Sequence, residues 1–172
     1  MARSPELTSR IMSAIKSTNT SPELRLRRAL WARGLRFRVH VKSLPGRPDI
    51  VFPRAKIAVF CDGDYWHGHN WALRGFMSLP EELATYKPYW REKILGNVRR
   101  DEVNNQKLTE LGWTVIRVWE SEIKAATQKW VDFIEASYRE NLAKGTGQTG
   151  GGGRPQPVSG RPKSPVGKNS GD

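Results

Sequence analysis

Short apolar segments with the spacing of β-strands recur along the chain. Residues 36–41 alternate between basic and apolar side chains, and this period of two predicts a strand with one buried face. Residues 49–52 and 57–60 are separated by a short turn that contains Pro53, a spacing that favours a hairpin. Residues 113–119 form the clearest strand pattern in the chain. The segments predict one sheet in which 49–52 and 57–60 are antiparallel neighbours.

Three other segments have apolar residues at helical spacing. The first begins at Thr20, where T-S-P-E provides an N-cap with Glu23 three positions later, and it ends before Gly34. The other two helices are predicted over residues 89–111 and 122–142. This order of elements predicts an α/β (α+β) fold in which helices flank a central mixed sheet.

The segments between and beyond these elements set the domain boundaries. We expect one folded domain over residues 21–144, in which residues 70–87 form a long functional loop with about one helical turn. Residues 1–20 are polar and basic, so they predict either a short helix or arm, or a frayed terminus. Residues 145–172 consist largely of Gly, Pro, Ser and basic residues and cannot bury a core, so we expect them to be disordered.

The charge of the chain indicates its partner. A formal net charge of +12 among 172 residues, with a pI near 10.3, favours a polyanion: nucleic acid first, and an anionic membrane second. The arm at residues 1–20 is therefore a candidate DNA contact. We find neither a membrane-spanning apolar run nor a signal sequence, and one cysteine excludes an internal disulfide. We expect a cytoplasmic, nucleoid-associated monomer.

Basic residues line one face of the first helix and one face of the first strand. The arginines of the helix either form a solvated face or contact phosphate, and the sequence leaves both open; they are Arg25, Arg27, Arg28 and Arg33. His40 falls on the basic face of the strand, and we expect it to be exposed.

Residues 56–69, K-I-A-V-F-C-D-G-D-Y-W-H-G-H, carry most of the candidate chemistry. Asp49 opens one strand and Asp62 closes its antiparallel neighbour, so both carboxylates should lie together. Two unpaired carboxylates repel unless a cation lies between them, and carboxylates are ligands that Mg²⁺ prefers. The carbonyl of Cys61 is a plausible third ligand. Because the reference pKa of histidine is close to neutral, His67 is a candidate general base at pH 7.

Each of these residues also has a structural interpretation. Asp62 and Asp64 are common turn residues, Trp66 is a candidate core tryptophan, and His67 is a candidate hydrogen-bonding histidine.

Several motifs, in order and roughly in register, resemble the very-short-patch-repair (Vsr) DNA mismatch endonucleases. They are S-R-I-M-S-A-I-K-S-T-N-T-S-P-E at 9–23, S-L-P-G-R-P-D-I-V-F at 43–52, F-C-D-G-D-Y-W-H-G at 60–68, N-V-R-R-D at 97–101 and L-G-W-T-V-I-R-V-W-E at 111–120. The resemblance implies a restriction-endonuclease-like PD-(D/E)xK fold. It also implies Mg²⁺-dependent nicking of one strand of double-stranded DNA, 5′ to the thymine of a T:G mismatch.

The resemblance also implies roles for particular residues. Asp49 matches the central metal ligand, and the Cys61 carbonyl matches a further ligand. His67 matches the histidine that activates water, and Glu23 matches an acidic residue that supports the site. Asp62 stands where some members have histidine, so it is a candidate second ligand. The residues implied in DNA binding are the aromatic wedge Tyr65 and Trp66, the N-terminal segment with Met12, Ile15 and Lys16, and Arg47.

Some members of that family hold a structural zinc, and this chain departs from their ligand set. At the positions of the zinc ligands this chain has Asp64, either Asn70 or Trp71, and Ser121. Only the histidine ligand is retained, as His69. We therefore expect no structural zinc. The leading hypothesis is a mismatch-nicking endonuclease, and the alternatives are a restriction-type or generic nuclease on the same fold and a non-catalytic DNA-binding protein.

Overall fold

Residues 18–146, as described by a computed structural model, form a mixed four-stranded sheet with helices on both faces. This confirms the predicted α/β class. The helices are α1 (Ser21–Ala32), α2 (Asn70–Leu73), α3 (Leu79–Ala84), α4 (Pro88–Glu110) and α5 (Glu120–Thr146). The strands are β1 (Arg38–Val39), β2 (Ile50–Phe52), β3 (Ile57–Asp62) and β4 (Thr114–Trp119).

The predicted start of the first helix is present in full. The Thr20 hydroxyl accepts a hydrogen bond from the Glu23 backbone N–H, and the Glu23 carboxylate accepts one from the Thr20 N–H at 3.3 Å. This capping box satisfies backbone donors that the helix itself leaves free. It also fixes the position of the Glu23 side chain, which is 2% exposed.

The strands follow the order β1-β2-β3-β4, with antiparallel pairing between the first three and parallel pairing between β3 and β4. The register pairs Ile50 with Val59 and Phe60 with Arg117. Successive side chains of a strand point to opposite faces. The sheet therefore has one face packed against α1 and α5, and a second face packed against α4.

The two faces have different cores. The face beneath α1 and α5 carries the larger apolar cluster, which includes Leu26, Ile50, Val59, Ile123 and Ile134. The face beneath α4 has a smaller cluster around Ala58, Phe60 and Leu108. At the carboxyl end of β3 this smaller core gives way to charged side chains, and the candidate site lies there.

Two local predictions need correction. The strand predicted over residues 36–41 contains only Arg38 and Val39, because His40 adopts a positive φ of 48° that ends regular pairing. Residues 70–87, predicted as a loop with about one helical turn, contain the two short helices α2 and α3.

The predicted arm at 1–20 lies almost entirely outside residues 18–146, and so does nearly all of the predicted tail at 145–172. Within residues 18–146, no helix is long and apolar enough to cross a membrane.

Candidate active site at the end of strand β3

Asp49 lies immediately before β2, where that strand approaches the end of β3. Its backbone N–H donates to the Val59 carbonyl at 3.0 Å, and its Oδ2 accepts a hydrogen bond from the Cys61 N–H at 2.8 Å. The Cys61 N–H thus holds the backbone at the end of β3 beside the Asp49 carboxylate. The role of the Cys61 carbonyl as a ligand stays a prediction.

The environment of Asp49 is unusual for a carboxylate. Burial, followed by the negative charges of Glu23 and Asp62, raises the pKa of Asp49 from 3.8 to about 7, although the Cys61 hydrogen bond acts in the opposite direction. Among residues 18–146, no lysine or arginine lies within ion-pair distance of its carboxylate, and only the His40 ring approaches, at 3.8 Å. The Asp49 carboxylate therefore has no directly paired cation among these residues, and the charge of the nearby Arg27 guanidinium offsets only part of the rise in its pKa.

Glu23, His40 and Arg27 surround one side of Asp49. Arg27 Nη2 forms a short ion pair with Glu23 Oε1, donates to His40 Nε2 at 2.9 Å, and donates to the main-chain oxygen of Asp49 at 3.2 Å. A guanidinium only donates, so His40 Nε2 accepts and its proton must be on Nδ1, which faces Asp49. Helix α1 is thus joined to the start of β2 through charged contacts.

His40 is a site residue that the sequence interpretation missed. We expected it to be exposed on a basic face, but its side chain lies between Glu23 and Asp49 and is largely buried. Arg27 also leaves the predicted basic face of α1, while Arg33 pairs with Asp132 and Glu135 on α5. The alternation of residues 36–41 could not reveal this, because the positive φ at His40 redirects its side chain.

Asp62 lies on the other side of Asp49 and is not the unpaired carboxylate that the sequence argument assumed. Arg117, from β4, donates through Nε to Asp62 Oδ2 at 2.6 Å and through Nη2 to Oδ1 at 2.8 Å. Both side chains are about 95% buried. This two-bond pairing gives the Asp62 carboxylate a cation of its own.

His67 follows Asp62 after a turn and is held by Asp101 of α4. Its Nδ1 donates to Asp101 Oδ2 at 2.5 Å, while Asp62 Oδ1 lies 3.8 Å away. Burial lowers the pKa of His67, but the Asp101 hydrogen bond and the charges of Asp62 and Asp101 outweigh burial, so the net shift is upward. With Nδ1 donating, Nε2 is the ring nitrogen that can accept a proton.

Asp101 is a second residue that the sequence interpretation did not assign a role. Arg117 Nη2 also reaches Asp101 Oδ1 at 2.8 Å, so one guanidinium joins both carboxylates that neighbour His67. The signal in the sequence for a role of Asp101 was its position in the motif N-V-R-R-D at 97–101. The contact depends on α4 crossing the sheet at the end of β3, which sequence periodicity does not specify.

Gly68 fixes the turn that carries His67. Its φ is +76°, and a Cβ at this position would lie 3.0 Å from side-chain atoms of both Leu79 and Val98. Any larger residue would strain the backbone and collide with α3 and α4. The turn is thus seated against both helices.

Tyr65 and Trp66 form part of a half-buried aromatic cluster rather than the apolar core. Trp66 packs edge-on against Tyr65, with ring centroids 4.9 Å apart, and tilted against Trp90, at 6.0 Å. Lys93 Nζ lies 5.4 Å from the centroid of Trp66, and the Trp66 carbonyl accepts a hydrogen bond from Asn97 at 3.0 Å. The aromatic side chains are thus presented on a surface beside His67.

The positions that match the zinc ligands are joined by hydrogen bonds. Asp64 Oδ1 accepts from His69 Nδ1 at 2.9 Å and from Ser121 Oγ at 2.6 Å, and its Oδ2 accepts from the Ser121 N–H at 3.0 Å. Burial raises the pKa of Asp64, but the bonds to His69 and Ser121 outweigh burial and lower it overall. His69 also stacks on Trp119 at 4.3 Å. The absence of zinc remains a prediction.

A second polar network ties the segment at 70–87 together. Glu82, which is 1% exposed, accepts hydrogen bonds from Asn70 at 2.6 Å and from the Tyr86 hydroxyl at 2.5 Å, and Arg74 approaches at 3.4 Å. The Trp71 ring packs edge-on towards the His69 ring, with the ring centroids 6.4 Å apart. Helices α2 and α3 are thus cross-linked to each other.

The remaining DNA-binding candidates fall in two places. Arg47 is exposed in the turn before Asp49 and has a positive φ of 53°. Met12, Ile15 and Lys16 lie outside residues 18–146.

Within residues 18–146, two groups of side chains have the composition of a metal site. They are Glu23, His40 and Asp49, and Asp62, His67 and Asp101, and in each group the ligand atoms lie within 4.8 Å of one another. Each group is also contacted by an arginine, Arg27 in the first and Arg117 in the second. Asp49 belongs to the first group, and neither guanidinium binds its carboxylate.

The sequence matches a known protein family and its characterised relatives. A family model described as DNA mismatch endonuclease Vsr matches residues 3–73. The chain is 35% identical over 145 residues to the type II nicking enzyme V.NmeDIP of Neisseria meningitidis serogroup C, and the aligned region covers 84% of this chain and 95% of that protein. It is 38% identical over 141 residues to the type II nicking enzyme V.HpaIIP of Haemophilus parainfluenzae, with 81% and 96% covered. It is 41% identical over 116 residues to the DNA mismatch endonuclease Vsr of Escherichia coli K12, with 67% and 70% covered.

Proposed function

This chain belongs to the Vsr family of DNA endonucleases, and we propose that it nicks one strand of double-stranded DNA at T:G mismatches with Mg²⁺ as its cofactor. Its relatives are named as endonucleases and nicking enzymes, so a non-catalytic DNA-binding protein is no longer a competing hypothesis. The mismatch preference, the identity of the metal and the residue roles below are parts of the proposal.

The observation that carries the metal assignment is the charge imbalance at Asp49. This carboxylate has a pKa raised to about 7 and neighbours two further carboxylates, and no lysine or arginine among residues 18–146 forms an ion pair with it, although the charge of Arg27 offsets part of the shift. A hard divalent cation would supply the missing charge. We propose Asp49 and the Cys61 carbonyl as ligands, with Glu23 bound through water.

Asp62 has a different role in this proposal from the one expected from the sequence. Because Arg117 binds both of its carboxylate oxygens, Asp62 is poorly suited to act as a direct ligand. We propose instead that Asp62 and Arg117 hold Asp101 and His67 in place, and that Asp62 affects the metal only through its charge.

The protein side chains then provide the remaining chemistry. Bound Mg²⁺ would supply charge neutralisation at the scissile phosphate and a more acidic water. The Nδ1–H···Asp101 hydrogen bond orients the His67 ring, so that Nε2 accepts a proton from the attacking water. Asp101 also stabilises the imidazolium that results, because its carboxylate is already bound to Nδ1.

Mismatch selection is assigned to the aromatic surface beside His67. Insertion of Tyr65 and Trp66 at a base step costs a few kcal/mol of unstacking, and this cost is lowest where a base pair is already weakened. The arm with Met12, Ile15 and Lys16, together with Arg47, would hold the duplex from other sides. One set of active-site residues cuts one strand, so we propose a monomer, located in the cytoplasm with the nucleoid.

The test compares oligonucleotide duplexes that differ at one base pair. We expect nicking of a T:G duplex in Mg²⁺, much slower nicking of the matched T:A and C:G duplexes, and none in a chelator. Asp49→Ala should bind the T:G duplex and fail to nick it, while Asp132→Ala, which removes an exposed carboxylate of α5, should retain wild-type nicking. Equal rates on matched and mismatched duplexes would favour the restriction-type or generic nuclease.

A further inference from the structure

The position of Arg27 suggests how many divalent ions the active site holds. Three groups in its surroundings have the atoms that bind a metal: Glu23 Oε1, His40 Nε2 and the main-chain oxygen of Asp49. Arg27 Nη2 contacts all of them, the last two at 2.9 and 3.2 Å. The nitrogen thus contacts the side chains of two members of the first candidate metal group, Glu23 and His40, and the main chain of the third, Asp49.

The surroundings of the guanidinium indicate that it is fixed in this position. Its other terminal nitrogen, Nη1, donates to Asn19 Oδ1 at 2.8 Å, and the Arg27 side chain is 11% exposed. Its buried Nε has no hydrogen-bond partner among the described residues, although buried donors are nearly always paired. Arg27 therefore leaves its Nε–H donor unpaired among these residues while its guanidinium contacts Glu23 and His40.

We propose that the Arg27 guanidinium is a built-in cation that occupies the place of a divalent ion between Glu23 and His40, so that the protein without DNA binds one ion, at Asp49. This inference rests on the proposed function, because it takes Asp49 as the ligand of the first ion. Any ion entering between Glu23 and His40 would compete with the guanidinium for the same lone pairs and would be repelled by its charge.

Removing the guanidinium should therefore create a second metal site. Arg27→Gln leaves the Glu23 carboxylate buried without its counter-ion and frees His40 Nε2, so a carboxylate, an imidazole and a carbonyl become available together. This donor set suits Mn²⁺ as well as Mg²⁺. Arg28→Gln is the matched control, because it removes the same charge from the next residue of α1, which is exposed.

The experiment is a titration of the full chain with Mn²⁺ in the absence of DNA, with free Mn²⁺ measured by electron paramagnetic resonance. We expect one ion per chain for the wild type and for Arg28→Gln, and two for Arg27→Gln. The double variant Glu23→Gln, Arg27→Gln should return to one ion, because the second ion loses its carboxylate. A single ion bound by Arg27→Gln, or two bound by the wild type, would overturn the inference.

The outcomes separate this inference from the proposed function. If Asp49→Asn and the wild type bind Mn²⁺ equally, Asp49 is not a ligand and the proposed site fails first. If Arg27→Gln does not fold in a chelator, its stoichiometry is measured after refolding in Mn²⁺. A variant that stays unfolded in Mn²⁺ refutes the inference, since the second ion should replace the lost guanidinium.

Discussion

The charge imbalance at Asp49 should make the metal-free protein less stable at neutral pH than the same fold without that charge. The pKa of Asp49 is about 7 in the folded chain and near 3.8 when exposed. The carboxyl group is protonated in both states below pH 3.8, so it has no effect there. As the pH rises towards 7, the unfolded chain loses this proton first, and the folded state is penalised by at most about 4 kcal/mol.

Asp49→Asn removes this titration while retaining an oxygen that can accept the Cys61 N–H. In a chelator, the free energy of unfolding of the variant should exceed that of the wild type by about 1–4 kcal/mol at pH 8, and the difference should shrink towards zero as the pH falls to 4. The assay is urea denaturation followed by circular dichroism at several pH values. Asp132→Asn, which changes an exposed carboxylate paired with Arg33, is the control. Its free energy of unfolding should not rise above that of the wild type as the pH increases.

Added Mg²⁺ should offset this advantage of the Asp49→Asn variant. At a concentration 100 times its dissociation constant, an ion that binds only the folded state stabilises it by about 2.7 kcal/mol. The wild type should gain this stability and Asp49→Asn should not. An Asn variant that is less stable at pH 8 than the wild type in a chelator, or one that Mg²⁺ stabilises equally, would refute the assignment of Asp49 as a buried carboxylate awaiting a cation.

Other substitutions and one metal analysis test the remaining assignments. Asp101→Asn should lower the pKa of His67 and move the acid limb of the rate–pH profile to lower pH, since the neutral ring is the active base; an unmoved limb would exclude the contact from catalysis. Asp62→Ala should leave the Mg²⁺ requirement nearly unchanged but destabilise the fold by at most about 3–5 kcal/mol, because the buried Arg117 keeps only Asp101 as a carboxylate partner; a sharply raised requirement would restore Asp62 as a ligand. Trp66→Ala should remain folded and lose affinity for the T:G duplex by about 1–3 kcal/mol in a binding assay, and an unfolded variant would instead place this ring in the core. Elemental analysis should find no stoichiometric zinc, and a chelator followed by Mg²⁺ should restore full nicking; one tightly held zinc per chain would contradict this.

The sequence by itself determined those features that depend on neighbouring residues. The capping box of Thr20 and Glu23, the hairpin of β2 and β3, and the long helix α4 were all predicted, because caps, turns and apolar periodicity act within a few residues. The closeness of Asp49 to the end of β3 also followed, since antiparallel pairing brings together the start of one strand and the end of the next. The order of motifs was enough to indicate the family.

Only the tertiary structure decided which charged groups are paired. Arg117 is 55 positions from Asp62 and His67 is 34 positions from Asp101, and no local pattern predicts that β4 and α4 bring these side chains together. The same limit applied to His40, which a positive φ turned from an expected exposed face towards Glu23. A sequence states which residues carry charge, but the pairing of a charge depends on the packing of distant elements, and that pairing leaves Asp49 as the carboxylate without a cation.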